Sequence, residues 1–215
     1  MPPEYYFLFT DAAEALKSHR GWDPGALALF RAMISEATTF SIYSETTRLL
    51  VDLNRSLNRK TLFSEFSAVL SSQEKETILN DYYYPFRQSF GDAAEAVLLM
   101  GDKIFHVSVH SFTPLFNGEI RNADLGLLFH PGHGDEKKWA VRWKRELLKE
   151  FPTFRIRFNY PYLGKTDGHV AALRLRFGVA YAGIELEMNN KYANDEQVRS
   201  GIVKAYHRLC NRYAE

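Results

Sequence analysis

Asp124-Leu-Gly-Leu-Leu-Phe129 is short, apolar and of strand length. An amphipathic run from Asp135 to Phe151 follows it, and then Arg155-Ile-Arg-Phe158, again of strand length. Strand, helix, strand within so few residues is the pattern of an α/β unit. Outward from this centre the alternation continues. Lys103 to His110 alternates as a strand, and so does Gly183 to Asn189 with its Ile/Glu/Leu/Glu/Met core. Asp195 to Tyr213 closes the chain as an amphipathic helix. Towards the N-terminus, Pro24 suits the first turn of a helix with Asp23 as N-cap, running to about Ala37. Arg48 to Leu53 reads as a strand and Ser64 to Leu70 as a short helix. Ser72 caps a helix reaching near Phe90, Asp92 to Met100 is helical or extended, and His169 to Phe177 is ambiguous. The expected fold is α/β, with three layers and a central mixed sheet covered by helices on both faces. With no repeat and no low-complexity linker, residues 1–215 are expected to form a single domain.

The 27 basic and 26 acidic residues nearly cancel, so the total charge gives no footprint for nucleic acid. Lys137, Lys138, Arg142, Lys144 and Arg145 cluster locally, as a solvated helix face or a phosphate-binding patch. Cys210 is the only cysteine, which excludes an internal disulfide and a cysteine-rich zinc site. No apolar run approaches the ~20 residues of a membrane span, and the Met-Pro-Pro-Glu-Tyr-Tyr start is unlike a signal peptide. A cytoplasmic protein without a membrane partner is expected.

In α/β sheets ligands bind beyond the carboxyl ends of strands, so the polar residues there are the ones to weigh. Val51-Asp-Leu-Asn-Arg-Ser56 offers Asn54 and Arg55. Arg55 is either a fork for a carboxylate or a surface arginine paired with a nearby glutamate. On Phe105-His-Val-Ser-Val-His-Ser-Phe112, His106 and His110 share a face but lie ~13 Å apart at ~3.3 Å per residue. One metal cannot take both. His110 is the candidate ligand or a hydrogen-bonded structural histidine, and His106 is a mid-sheet histidine. Glu185 and Glu187 point to one face of their strand, either as the wet side of an edge strand or as acids kept for chemistry. A carboxylate there suits a general base beside a metal-bound water. Asp23 is a helix cap or a metal ligand, and His19 is a weaker option. A His-Glu-x-x-His motif is absent.

Taken in order, several stretches resemble the N-formylglutamate amidohydrolase family. They are Ser18-His-Arg-Gly-Trp-Asp-Pro-Gly-Ala26, Arg48-Leu-Leu-Val-Asp-Leu-Asn-Arg-Ser56 and Val107-Ser-Val-His-Ser-Phe-Thr-Pro114, followed by Arg121-Asn-Ala-Asp-Leu-Gly-Leu-Leu128, Asn159-Tyr-Pro-Tyr162 and Gly183-Ile-Glu-Leu-Glu-Met-Asn189. The resemblance implies a zinc carboxypeptidase-like fold, one catalytic divalent metal such as zinc, and hydrolysis of N-formyl-L-glutamate or a related N-acyl amino acid. It implies His110 and Asp23 as metal ligands and Glu187 as general base. Arg121 would bind a second carboxylate or polarise the carbonyl. Asn54 and Arg55 would hold the substrate carboxylate, Asn159 and Tyr162 would line the pocket, and Glu185 would support the shell. Family members usually begin with a strand ending in a metal-binding histidine, before a segment like Pro2-Pro-Glu-Tyr5. The sequence starts at that segment, so the resemblance leaves a third ligand open, with His19 one substitute. The alternative expectation is a catalytically impaired relative that binds N-acyl amino acids or a protein partner.

Overall fold

The computed structural model describes residues 2–35 and 38–211. Its contacts divide the chain into two units interleaved in sequence. The first is Met1–Trp22, Ile42–Ile104 and Asp167–Ala180; the second is Asp23–Ser41, Phe105–Thr166 and Tyr181–Glu215.

The second unit carries the sheet. Its strands are β1 (Ile104–Phe112, beginning one residue outside the unit), β4 (Leu125–Leu128), β5 (Ile156–Phe158) and β6 (Tyr181–Asn189). They lie in the order β1-β6-β4-β5. β4 runs parallel to β5 and antiparallel to β6, so the sheet is mixed, as expected. A small antiparallel hairpin, β2 (Leu115–Phe116) with β3 (Glu119–Ile120), stands apart from it. Three helices flank the sheet: α2 (Ala26–Met33), α5 (Gly134–Glu150) and α7 (Glu196–Asn211). The expected helix ends at Ala37 and Tyr213 fall outside the described residues.

Period-two alternation sorts the sheet residues. Ile184, Leu186 and Met188 of β6 join Leu125, Leu127, Trp143, Leu147 and Ile202 in one core cluster, with Phe105, Val107 and Val109 of β1 against it. The residues between them, His106, Ser108 and His110 on β1 and Glu185 and Glu187 on β6, therefore take the opposite face. On α5, Lys137, Lys138, Arg142 and Arg145 are exposed, while Trp143 and Leu147 are fully buried. The basic cluster is thus a solvated face, as an amphipathic helix requires. Glu136, at the buried start of α5, accepts from His130 N (2.7 Å) and Gly183 N (3.0 Å), pinning the helix to the ends of two strands.

Helices and turns make up the first unit. α1 (Ala13–Lys17) is short. α3 (Ser72–Ile78) and α4 (Tyr84–Leu99) run on through a π turn at Leu79–Tyr83. Pro85 explains that turn: proline has no N–H and crowds the carbonyl four residues back, so the ladder widens there. The cap of α3 is Ser71, one residue before the expected Ser72. It forms a capping box, accepting from Glu74 N while its own N–H donates to Glu74 Oε2 at 2.8 Å. The ambiguous segment is helical, α6 (His169–Phe177).

Two expectations fail here. Arg48 to Leu53 is a run of turns, with Leu50 N and Val51 N donating to Thr47 O and Arg55 N to Asp52 O. Its apolar residues serve a local core with Leu62, Leu70, Ile78, Leu79 and Tyr83. Ser64 to Leu70 is also turns rather than helix, because the hydroxyls of Ser64 and Ser67 both donate to Leu49 O. Among the described residues no helix is long and apolar enough to cross a membrane.

Candidate active site

His110, near the end of β1, is the centre of an acidic cluster in the second unit. Its Nδ1 is hydrogen-bonded to Asp23 Oδ2 at 2.8 Å. Its Nε2 lies 2.9 Å from Ser108 Oγ and 4.0 Å from Glu185 Oε2. Burial alone would lower the pKa of His110. The hydrogen bond and charge of Asp23, with the charges of Glu187 and Glu185, outweigh it and raise the value to about 9. Glu187 is 4 % exposed and pairs across the sheet with Gly126. The sheet thus gathers four residues marked in the sequence: His110, Asp23, Glu185 and Glu187.

Asp23 reaches His110 because it does not cap α2. The N-cap is Gly25, at φ +81°, a left-handed conformation that glycine adopts freely. The carboxylate of Asp23 is thereby directed to the imidazole instead of the helix amides.

His106 has the mid-sheet role expected of it, hydrogen-bonded through Nδ1 to the hydroxyl of Tyr181 at 2.6 Å. Burial, with the nearby charge of His110, pushes its pKa down to about 3. The unfolded chain takes up this proton below about 6.5, whereas the folded chain resists until about 3. The contribution of His106 to stability is therefore present above pH ~6.5 and is lost as pH falls from there towards 3. In urea unfolding, the gap between the parent chain and His106→Gln should narrow as pH drops through this window. Parallel curves would show that His106 protonates as easily folded as unfolded.

Arg121 and Tyr162 also meet. Arg121 Nη1 donates to Tyr162 Oη (3.1 Å), and its guanidinium lies 4.3 Å from the Phe116 ring centroid and 5.0 Å from that of Tyr162. Asn159 turns the chain between β5 and α6. At φ +49°, its Oδ1 accepts from Phe129 N and Gly164 N, both at 3.0 Å. That oxygen fixes the 159–164 loop and is not left over for a ligand.

The remaining marked residues belong to the first unit. Asn54 Oδ1 accepts from His169 N at 2.7 Å. Arg55 Nη1 donates to Asp167 O (3.0 Å) and its Nε lies 3.6 Å from Asp52, so Arg55 has an acid partner inside its own unit. His19 sits on an exposed turn after α1.

Sequence reasoning passed over three residues. Ser108 was visible as the middle member of the His106/Ser108/His110 face. Gly126 and Tyr181 carried no local signal; their roles come from the pairing of β4 with β6 and from the reach of a phenol across the sheet.

Zinc takes three protein ligands and a water in a catalytic centre. The donor chemistry here fits a divalent cation, with one imidazole under the charge of three carboxylates. A finished cage is not formed: among the described residues no three His, Cys, Asp or Glu side chains are arranged to hold a metal ion.

A mixed-sheet α/β protein with a half-buried imidazole and acids on one sheet face has the equipment of an acid–base hydrolase. Comparison with known proteins makes the class specific. Residues 1–193 match the family model for N-formylglutamate amidohydrolase, and the chain belongs to that family. The resemblance read from its motifs is borne out, and membership places the chain among amidohydrolases. A crystal structure of a gene product from Agrobacterium tumefaciens shares the fold at TM-score 0.80 and 24% identity, covering 100% of this chain and 87% of the other. The crystal structure of N-formylglutamate amidohydrolase from Ralstonia eutropha shares it at TM-score 0.60 and 18% identity, covering 78% and 75%. No curated protein gives a significant match.

Proposed function

We propose that this chain is a metal-dependent amidohydrolase that cleaves N-formyl-L-glutamate, or a related N-acyl amino acid, into the free amino acid and a carboxylic acid. The observation carrying this reading is the convergence of Asp23, Glu185 and Glu187 on His110 in a family of amidohydrolases. His110 and Asp23 would hold a divalent cation such as zinc. When bound, that ion polarises the acyl carbonyl and acidifies water.

The chain's own residues divide the rest. Glu187 takes a proton from the attacking water and delivers it to the leaving nitrogen. The C–N bond breaks, the hydroxyl goes to the acyl carbon, and the nitrogen leaves as an amine. Glu185 keeps the imidazole of His110 oriented. Arg121, flanked by Phe116 and Tyr162, offers a planar fork to a substrate carboxylate or to charge developing on the carbonyl oxygen.

The test is formate and amine release from N-formyl-L-glutamate, beside N-acetyl and N-succinyl amino acids, before and after chelation. We expect turnover of at least one of these, lost on chelation and restored by zinc. Binding of N-acyl amino acids without turnover, in protein loaded with stoichiometric zinc, would identify a catalytically impaired relative instead. Turnover indifferent to chelation would remove the metal from the reading.

A further inference from the structure

The first unit holds an open cleft of about 720 Å³, within the roughly 300–1,000 Å³ typical of small-molecule sites. Its walls are the Ser56–Asn58 turn, helix α4 and helix α6. None of the residues assigned above to the hydrolytic reaction lines it.

Two guanidiniums meet on one wall. Arg87 lies on α4, and Gly91 is one turn further along. Arg176 reaches over from α6, and its guanidinium occupies the space that a Cβ on Gly91 would fill. Glycine is a poor helix former, and this one, buried mid-helix, admits a cation. Helix residues four apart are ~5–6 Å apart at Cβ, so Arg87 stems from the same ridge that the Arg176 guanidinium covers, and both residues line the cleft.

Neither guanidinium has all of its N–H groups in hydrogen bonds among the described residues. Arg87 Nη1 donates to two neutral carbonyls, Leu53 O (3.1 Å) and Arg55 O (3.2 Å). The charges of Asp167 and Asp52 reach Arg87 without a direct ion pair among the described residues, and its guanidinium lies 5.1 Å from the Tyr83 ring centroid. Arg176 pairs with Glu95 through Nη2 at 2.5 Å, which leaves Nη1 beside Gly91. On the adjacent ridge stand Gln88 and Asp92, four apart, with Asn58 and the ring of Tyr84 completing the lining. The side chains of Asn58, Gln88 and Asp92 enter no hydrogen bond or ion pair with the described residues.

The cleft thus presents a cationic pole, an anionic pole one ridge away, two amides and an aromatic wall. We propose that it is a second binding site, for a small zwitterion of the α-amino-acid class. The carboxylate goes to Arg87 and Arg176, the ammonium goes to Asp92, and the side chain lies along Tyr84. A simple anion would use only the arginines and meet Asp92 as a like charge. Arg87 also holds the carbonyls of Leu53 and Arg55, so occupancy bears directly on the turn that carries Asn54. The proposal concerns binding alone and stands whether or not the chain hydrolyses N-acyl amino acids.

Calorimetric titration of the full chain with L-glutamate tests it, with glutarate as the probe lacking an ammonium. L-glutamate should bind, and glutarate should bind at least about tenfold more weakly. Arg176→Gln and Asp92→Asn should each weaken L-glutamate by roughly 10–100-fold, the range for loss of a charged hydrogen bond. Neither residue is among those assigned to the hydrolytic reaction, and both variants should leave turnover at saturating substrate unchanged. Gly91→Ala, which displaces the Arg176 guanidinium without removing it, should weaken binding as well. No binding at millimolar L-glutamate would overturn the proposal. So would variants that bind like the parent chain, or glutarate binding as tightly as glutamate. A rise in KM for the hydrolytic substrate in Arg176→Gln would overturn it too, by making the cleft part of the reaction site.

Discussion

Glu187→Gln should lower turnover by about 10²–10⁴-fold, the usual contribution of a positioned general base, while leaving the fold and the metal content near normal. Glutamine has almost the same shape but cannot accept a proton at neutral pH. The side chain is 4 % exposed, so no bulk water stands ready to replace it as base. The fold should tolerate the change, because a buried carboxylate is costly in itself and a neutral amide costs less. Neighbours also constrain the position: Glu187 pairs in register with Gly126, and Leu186 and Met188 on either side are buried in the core. Turnover is measured by formate release, the fold by thermal unfolding and the metal by elemental analysis. A variant with parent-like kcat would move the base elsewhere, and Glu185 would be the next residue to test. A variant that loses activity together with its metal would make Glu187 a ligand.

Alternation made the two site strands readable. On β6, Ile184, Leu186 and Met188 are the core residues, and Glu185 and Glu187 fall between them. On β1, Phe105, Val107 and Val109 leave His106, Ser108 and His110 to the other face. A period of two fixes a face without any knowledge of the partner strand, so the imidazole and the acids could be marked from sequence. Their mutual distances could not, because those depend on the order β1-β6-β4-β5 and on register.

Apolar runs without alternation were less informative. Leu49, Leu50, Val51 and Leu53 are buried, and burial is all that their composition specifies. Leu50 N and Val51 N donate to Thr47 O, and Asp52 N between them and Leu53 donates to Leu62 O, instead of to a neighbouring strand. In α6, Leu173-Arg-Leu-Arg-Phe177 alternates like a strand, yet Leu175 is 89 % exposed while His169, Val170 and Leu173 are buried. The helical spacing 169, 170, 173 is the true signal, hidden beneath a stronger-looking one. Asp23 was marked both as cap and as ligand because both uses need the same carboxylate. The positive φ of Gly25, which frees it from capping, is a property of the backbone that sequence only hints at.

Gly126→Ala should destabilise the chain by about 1–3 kcal/mol, the usual cost of overpacking, and should also reduce turnover. A Cβ at this position would collide with the carbonyl oxygen of Tyr160 and come within 3.2 Å of the Cβ of Glu187. The Tyr160 carbonyl cannot easily retreat. Asn159 ties its loop to Phe129 N and Gly164 N, and the Tyr160 hydroxyl accepts from Asn122 N at 3.0 Å. On the other side, β4 is held between β5 and β6. The displacement therefore passes into the β4–β6 pair, where Gly126 stands opposite Glu187. In the role proposed for Glu187, a general base must keep hydrogen-bond reach of the proton it moves, so a shift of Glu187 should lower kcat. At this chain length each kcal/mol corresponds to a Tm change of roughly 2–4 °C. The matched comparison is Gly134→Ala at the start of α5, where a Cβ meets nothing within 4 Å and φ is not positive. Gly134→Ala should leave Tm and kcat unchanged. A Gly126→Ala protein indistinguishable from it in both would mean that the 159–164 loop yields freely and that the position of Glu187 does not depend on the strand opposite.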